Sequence, residues 1–518
     1  MKLNDLLSAL DQAGLLATAT SVPWDHHDLA AIEVGSLHYD TRQLSPGGVF
    51  FAIAGFATDG HKHVPDALDR GAAAVIAQKP TQAPIPVIQV IDSRKALAIA
   101  ADRYFGSPSR ELTIVGITGT NGKTTCAYLI ENMLKAAGYR VGVIGTVNYR
   151  YNGKISASPV TTPESLDLQR IMAEMLRAGV THLVLEVSSH AIDLARIEAC
   201  QIDVGVFTNL SQDHLDHHGS MQAYWACKKR LFTHYLQAVP EPIAVINIDS
   251  PEGRELESDV AYTSITTGRK PGSMIRSQSV AIDFTGIHGR IALPQSHIEI
   301  ESTLVGAHNL DNILSSVGVG LALRLPSAAI QDGINTTLSV PGRLERVSNK
   351  SDVPVYVDYA HTPDALENVL KALKELTPAR IITVFGCGGN RDKTKRPLMG
   401  NIAAQYSDLA IVTSDNPRYE DPDEIIDQIL SGEVLAGLHA YALKEIQNGF
   451  TGMGYYRQSD RRMAIRTAIQ AAMPGDVVLI AGKGHETYQI LGDQTIDFDD
   501  RIEANAALTA RAKEEISS

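Results

Sequence analysis

Residues 112–125 read LTIVGITGTNGKTT, an apolar run that passes into a glycine-rich turn ending in Gly122-Lys123-Thr124-Thr125. The run has the apolar, β-branched character of a strand buried on both faces. The segment that follows, CAYLIENMLKAAG, has helical apolar spacing and closes at Gly138. Strand, tight turn and helix N-terminus in this order make an anion site. Glycines let backbone N–H groups converge on phosphate oxygens, and the helix end adds a favourable dipole. Lys123 can neutralise β/γ-phosphate charge, and the Thr124 hydroxyl can hold Mg²⁺. The strict G-x-x-x-x-G-K-[ST] spacing wants glycine at position 117, where this chain has Ile117, so the loop is a variant. A turn that binds nothing would leave the lysine and the paired threonines without a purpose.

Working outward, further β-type runs at THLVLEV, VGVFTNL and IAVINID alternate with helical patterns, which argues for a parallel, doubly wound sheet. A second series begins after Pro341-Gly342 with VPVYVDY, RIITVFG, LAIVTSD and DVVLIAG. Upstream, short strands at residues 49–53, 74–77 and 86–90 mix with helices and end in the Gly-Ser-Pro-Ser turn at 106–109. The expected fold class is therefore α/β in three domains. A mixed α/β N-terminal domain spans 1–108, a central doubly wound P-loop ATPase-like domain 109–339, and a C-terminal Rossmann-like domain 340–518.

Bulk properties narrow the function. The 518 residues are 44% hydrophobic and 20% charged, ample for large cores. A net charge of -13 argues against a sequence-independent grip on nucleic acid. The four cysteines are scattered without a C-x-x-C pair, which fits a reducing compartment. The N-terminus lacks a signal-peptide pattern, and no apolar run reaches the length of a membrane span. The expectation is a cytoplasmic enzyme, acting as a monomer on small molecules, with neither nucleic acid nor membrane as partner.

More strings fall at expected strand ends, where open α/β sheets bind ligands. They include Glu186-Val-Ser188-Ser189-His190, Thr208-Asn209-Leu-Ser-Gln-Asp213-His214 and Cys227-Lys228-Lys229-Arg230. Later come His308-Asn309-Leu-Asp311-Asn312, Pro341-Gly342-Arg343 and Asp358-Tyr359-Ala-His361. The last are Arg391-Asp392-Lys393, Asp415-Asn416-Pro417-Arg418 and Gly482-Lys483-Gly484-His485-Glu486. Taken in order, this set resembles the Mur ligase family over essentially the whole chain.

The resemblance implies an ATP-dependent ligase that phosphorylates a carboxylate and lets an amine displace phosphate. Its implied substrates are ATP, a UDP-N-acetylmuramoyl-L-alanyl-D-glutamate dipeptide and meso-diaminopimelate, with two Mg²⁺ ions as cofactors. Gly119, Thr120, Asn121, Gly122, Lys123, Thr124 and Thr125 would bind ATP, helped by Asn309, Asn312 and Arg343. Lys123, Glu186, His214 and Lys228 would be catalytic, and Thr124, Glu186, His214 and a carbamylated Lys228 would surround the metal. Tyr39, Thr41, Phe56, Ala57, Thr58, Thr161, Thr162, Ser188 and Arg196 would hold the UDP substrate. Arg391, Asp415, Asn416, Pro417, Arg418, Gly482 and Glu486 would hold the amino acid, with Asp415-Asn416-Pro417-Arg418 matching the diaminopimelate-type pattern. An arginine fork suits the distal carboxylate, and Glu486 suits the ammonium.

The chain departs from the family pattern at Thr41 (usually serine), Leu194 (often glutamine), Cys227 (alanine) and His308 (phenylalanine). Three other readings stay open at this point. They are a ligase of the same type adding lysine or another amino acid, a folylpolyglutamate synthetase-like ligase, and a nucleotide-binding module without ligation chemistry. Arg418 and the long N-terminal region speak against the first two, and Arg391, Arg418 and Glu486 against the third.

Overall fold

Four short parallel strands follow the first helices and line up in sequence order: β1 (Ser36–His38), β2 (Gly48–Ala52), β3 (Ala74–Ala77) and β4 (Val87–Gln89). β2 and β3 are buried along their whole length. Helix Leu3–Gln12 packs Leu3, Leu6 and Leu10 against them, and helix Ser93–Phe105, capped by Asp92, adds Ala96, Leu97 and Ala100. Leu166, from the later helix Ser165–Arg177, completes the same core. The computed structural model describes residues 1–17, 26–55, 58–347 and 353–517, so Phe56 and Ala57 lie outside the described residues.

The apolar run ahead of the glycine-rich turn is β5 (Thr113–Thr118). It is followed by β6 (Val141–Ile144), β7 (Asn148–Tyr151), β8 (Lys154–Ala157), β9 (His182–Glu186), β10 (Val204–Phe207), β11 (Ile243–Asn247) and β12 (Ser264–Gly268). The order is β12-β11-β10-β5-β9-β6-β7-β8, parallel from β12 to β6 and antiparallel at β7 and β8. Registers Ile117↔Glu186, Thr118↔Phe207 and Ile144↔Leu185 bring the C-terminal ends of four strands to one edge. Loops after β5, β6, β9 and β10 therefore emerge together, as the ligand edge of a parallel sheet should.

These elements make up the first of two units, Met1–Leu210, His214–Met274 and Ser315–Ile330. The second comprises Ser211–Asp213, Ile275–Leu314 and Gln331–Ser518. It opens with an antiparallel meander, β13 (Ile275–Asp283), β14 (Gly286–Ala292) and β15 (His297–Ser302). Its sheet contains β16 (Glu345–Arg346), β17 (Val355–Asp358), β18 (Ile381–Phe385), β19 (Leu409–Val412), β20 (His439–Ala440), β21 (Gly454–Arg457) and β22 (Val477–Ala481). They run β16-β17-β22-β18-β19-β21-β20, all parallel except β16. Registers Asp358↔Ala481 and Phe385↔Val412 again align strand ends. A last hairpin, β23 (Tyr488–Leu491) and β24 (Gln494–Asp497), follows.

The apolar runs hold β2 to β5, β9 to β11, β17 to β19 and β22, with ends that differ by up to three residues, whereas β1, β6, β12, β20 and β21 lie outside those runs. The meander and the hairpins β7–β8 and β23–β24 were not expected, because their residues are mostly polar and exposed on one or both faces. All four cysteines are free and buried. Among the described residues no helix is long and apolar enough to cross a membrane.

Candidate active site

The phosphate loop is shaped by two glycines in conformations that L side chains rarely adopt, Gly119 at φ +149° and Gly122 at φ +88°. A Cβ on Gly119 would stand 1.9 Å from Thr208 Oγ1. The loop is tied down from β10. Thr208 Oγ1 donates to Asn121 O at 2.6 Å, Thr120 N to Asn209 O at 3.0 Å, and Asn121 N to Asn209 Oδ1 at 2.9 Å. Lys123 opens helix Lys123–Ala136 and folds back, donating to Gly119 O at 2.8 Å and Thr120 O at 2.9 Å.

Glu186, at the end of β9, is 1% exposed. Its Oε2 accepts from Thr124 Oγ1 at 3.0 Å and Thr146 Oγ1 at 2.8 Å, and its Oε1 accepts from Thr146 N at 3.1 Å. Carboxylate and hydroxyl oxygens gathered beside a phosphate loop are the donor set a hard cation such as Mg²⁺ prefers. Thr146 was missed by the sequence reading. The strand-end rule reaches it, since it follows β6 by two residues.

The residues expected to touch the UDP substrate join the same network. Thr161 Oγ1 lies 3.1 Å from Thr146 Oγ1, Thr162 Oγ1 donates to Glu186 O at 2.7 Å, and Ser188 N donates to Thr162 Oγ1 at 3.2 Å. Arg196 Nη1 donates to Thr162 O at 2.9 Å, while Arg196 Nε and Arg94 Nη1 flank Glu164 at 3.7 and 3.1 Å. Tyr39 is not drawn into that network. Its hydroxyl donates to Asp167 at 2.7 Å, and burial with this carboxylate raises its pKa. Thr41 is buried, and Thr58 Oγ1 pairs with His63.

Lys228 sits near the end of helix Met221–Arg230, only 1% exposed, and donates to Gly119 O at 2.8 Å. Its Nζ lies 4.6 Å above the Tyr224 ring, and the His214 ring lies 6.1 Å from that same ring. Neighbouring Lys229 points elsewhere, to Glu255 and Asp259. His214 itself is held in the left-handed region at φ 53°. The His190 ring packs 4.8 Å from it, and burial with His214, His217 and His218 keeps His190 at about 4.

In the second unit Asn309 and Asn312 are buried in helix Ala307–Ala322. Asn309 Nδ2 donates to Val305 O and Asn312 Nδ2 to Asn309 Oδ1. The Arg343 guanidinium lies 5.4 Å over the Tyr359 ring. Asp358 accepts from Leu344 N and Ala360 N, and burial raises its pKa. Thr362 caps helix Pro363–Glu375, its hydroxyl accepting from Ala365 N, and His361 Nδ1 lies 2.8 Å from Tyr359 O.

The expected amino-acid residues cluster. A Cβ on Gly388 would meet both Arg418 Nη1 at 3.0 Å and Arg391 Cγ at 3.6 Å. Arg418 adopts φ 53°, and its backbone is stitched to β23 through Ile490 O and Gly492 N. Glu486 Oε2 accepts from Asn416 Nδ2 at 2.9 Å and Lys483 Nζ at 3.0 Å. Asp415 Oδ1 accepts from Asn416 N, and its Oδ2 lies 2.7 Å from where a Gly482 Cβ would be. Pro417 O accepts from Glu420 N, and Arg396 holds Glu420, lowering that carboxyl to about 2.

Residues 33–105 match the Mur ligase family catalytic domain, 117–320 the Mur ligase middle domain, and 342–484 the Mur ligase glutamate ligase domain. A relative from Geobacter metallireducens is 48% identical over 92% of this chain and 94% of its own. One from Geobacter sulfurreducens is 44% identical over 98% of both.

This chain belongs to the Mur ligase family.

Both of these Mur ligases are named UDP-N-acetylmuramoyl-L-alanyl-D-glutamate--2,6-diaminopimelate ligase. A solved structure of a Mur ligase so named is 30% identical, with a TM-score of 0.66 over 92% of this chain and 95% of that one. As a Mur ligase the chain is an ATP-dependent, amide-bond-forming enzyme, which sets aside the reading of a nucleotide-binding module without ligation chemistry.

Proposed function

We propose that this enzyme joins meso-diaminopimelate to UDP-N-acetylmuramoyl-L-alanyl-D-glutamate at the expense of ATP, in the cytoplasm. The substrate carboxylate oxygen attacks the γ-phosphorus and ADP leaves. The free amine then attacks the acyl carbon, phosphate leaves with the bonding pair, and the nitrogen sheds its extra proton to water. Two anions must approach in the first step, so cationic and hydrogen-bonding groups set its rate.

In this reading Lys123 and the loop amides hold the β/γ-phosphates. Thr124 and Glu186 would hold one Mg²⁺, and His214 with a carbamylated Lys228 would hold a second; when bound, these ions offset the charge between the reacting groups. Thr161, Thr162, Ser188 and Arg196 orient the muramoyl peptide, and Tyr39, Thr41, Phe56, Ala57 and Thr58 receive the uridine end. Asn309, Asn312 and Arg343 serve the nucleotide. Arg391 and Arg418 take the distal carboxylate of the amino acid, and Glu486 its ammonium, with Asp415, Asn416, Pro417 and Gly482 shaping the pocket. The division into residues 1–108 for the UDP substrate, 109–339 for ATP and 340–518 for the amino acid belongs to the same proposal.

The observation that carries it is the arrangement around Gly119: two lysine ammonium groups on one loop carbonyl, beside the helix whose Thr124 hydroxyl meets a buried carboxylate. The test is phosphate release by the purified chain with ATP, UDP-muramoyl-dipeptide and a panel of free amino acids. Release that depends on meso-diaminopimelate and yields the tripeptide supports the proposal. Release with L-lysine alone, or ATP hydrolysis without a peptide product, sinks it.

A further inference from the structure

Lys483 is one of the largest fully buried side chains in the protein, at 0% exposure, yet no step above uses it. Its Nζ lies 3.0 Å from Glu486 Oε2 and 3.3 Å from Asn416 Oδ1, and 5.4 Å from the centre of the Tyr488 ring. Asn416 Oδ1 also accepts from Ile490 N at 3.0 Å, while Asn416 Nδ2 donates to Glu486 Oε2 at 2.9 Å. The amide of Asn416 is thereby locked in one orientation, and one oxygen of Glu486 is taken up by two donors. Glu486 is 18% exposed, so its second oxygen is the one left to face a ligand.

We infer that Lys483 is a specificity-determining residue that biases the amino-acid pocket toward a zwitterionic distal head and against a lone ammonium. The inference rests on the reading of Arg391, Arg418 and Glu486 as that pocket. The local charges are four cations, Lys483, Arg391, Arg418 and Arg461, against three carboxylates, Glu486, Asp415 and Asp500, the last paired with Arg461. A ligand ending in a bare ammonium meets a carboxylate already paired with Lys483, in a pocket with a positive balance. A ligand ending in both ammonium and carboxylate brings its own compensating charge, which the arginines accept. Lys483 acts through Glu486 and Asn416, so it positions and biases the pocket without touching the reacting atoms. A repulsive element of this kind separates two ligands that would otherwise gain equally from Glu486.

The experiment uses the full chain with Lys483→Met, which keeps the unbranched apolar stem and removes the charge, and Lys483→Gln, which retains hydrogen-bonding capacity without the charge. Both are measured with saturating ATP and UDP-muramoyl-dipeptide against meso-diaminopimelate and L-lysine. The expected result is a drop of about tenfold in the diaminopimelate-to-lysine ratio of kcat/KM, carried by the amino-acid KM. The KM for ATP should stay at its wild-type value. If Lys483→Met fails to fold, Lys483→Gln reads the same ratio. An unchanged ratio in a folded variant, or an equal loss of kcat with both amino acids, overturns the inference. Wild-type protein that ligates neither amino acid sinks the functional reading itself, an outcome distinct from wild-type ligation with an unmoved ratio in the variants.

Discussion

Lys123 and Lys228, far apart in sequence, donate to the same backbone oxygen, Gly119 O, at 2.8 Å each. Two ammonium groups on one loop carbonyl concentrate positive charge at the phosphate loop, where an anionic ligand, or an anion made from one of the amines, is favoured. Lys228 is the buried member, and carbamylation would turn it into an oxygen donor. Lys228→Ala should therefore lower kcat by about a hundredfold, with partial recovery on adding acetate or another short carboxylate. Steady-state assays with and without the added carboxylate decide it, and full activity in the variant would remove Lys228 from the mechanism.

Glu186 offers a second test. Its carboxylate takes three donors, from Thr124 and Thr146, in a place that is almost fully buried. Glu186→Gln keeps the volume and loses the charge. We expect kcat to fall by roughly a hundredfold while the KM for the amino acid holds, because the lost interaction serves phosphoryl transfer. A matching rise in the amino-acid KM would place Glu186 in binding instead.

Arg418 is held at its backbone by β23 and at its side chain by Gly389 O at 2.9 Å. A lysine there supplies the charge without the planar fork. Arg418→Lys should raise the KM for meso-diaminopimelate by about tenfold and leave the KM for ATP alone. Unchanged kinetics would take Arg418 out of the pocket.

His485 makes a pH prediction. Burial, with Arg343 and Arg501 nearby, lowers it to about 4, and its buried Nδ1 has no partner in the structure. An unfolded histidine titrates near 6.5. Between these values the unfolded chain binds more protons, so stability present above about 6.5 is lost as pH falls toward about 4. Thermal midpoints followed across that range should slope downward, and His485→Asn should flatten the slope. An identical slope in the variant would assign the loss to other groups.

Arg461 and Asp500 form an ion pair with both side chains at 0% exposure, at 2.7 Å, and Arg461 also donates to Ala481 O. Arg461→Met leaves a buried carboxylate without its partner and should cost about 3–5 kcal/mol. Chemical denaturation of the purified variant measures this.

Much of the architecture is legible in the sequence because parallel strands buried on both faces must be continuously apolar, as in residues 112–118 and 477–481. The phosphate loop is legible for a related reason: its glycines and lysine have few other uses in a strand-to-helix turn. The β13–β15 meander escaped because its strands alternate exposed polar residues, a pattern that turns and loops also produce. Thr146 escaped because it matters through Glu186, 40 residues away; Tyr224 and Lys483 stand within a turn of Lys228 and Glu486, and escaped because tertiary packing, which a local pattern does not show, buries them. Thr146 alone could have been found, from its place just beyond a strand end. Lys483 lay inside a motif that drew attention to its neighbours, and a lysine is ordinarily read as solvated.

Leu166 carries a consequence for evolution and for engineering. It stands on helix Ser165–Arg177, within the stretch that matches the Mur ligase middle domain, yet it is a member of an apolar core otherwise built from residues 3–101, flanked by the Tyr39–Asp167 and Arg94–Glu164 contacts. Grafting the first hundred residues from a relative onto this chain would mismatch that shared seam. Recombination that respects the fold must carry helix Ser165–Arg177 along with them, so the two regions are expected to be inherited, and best transplanted, as one piece.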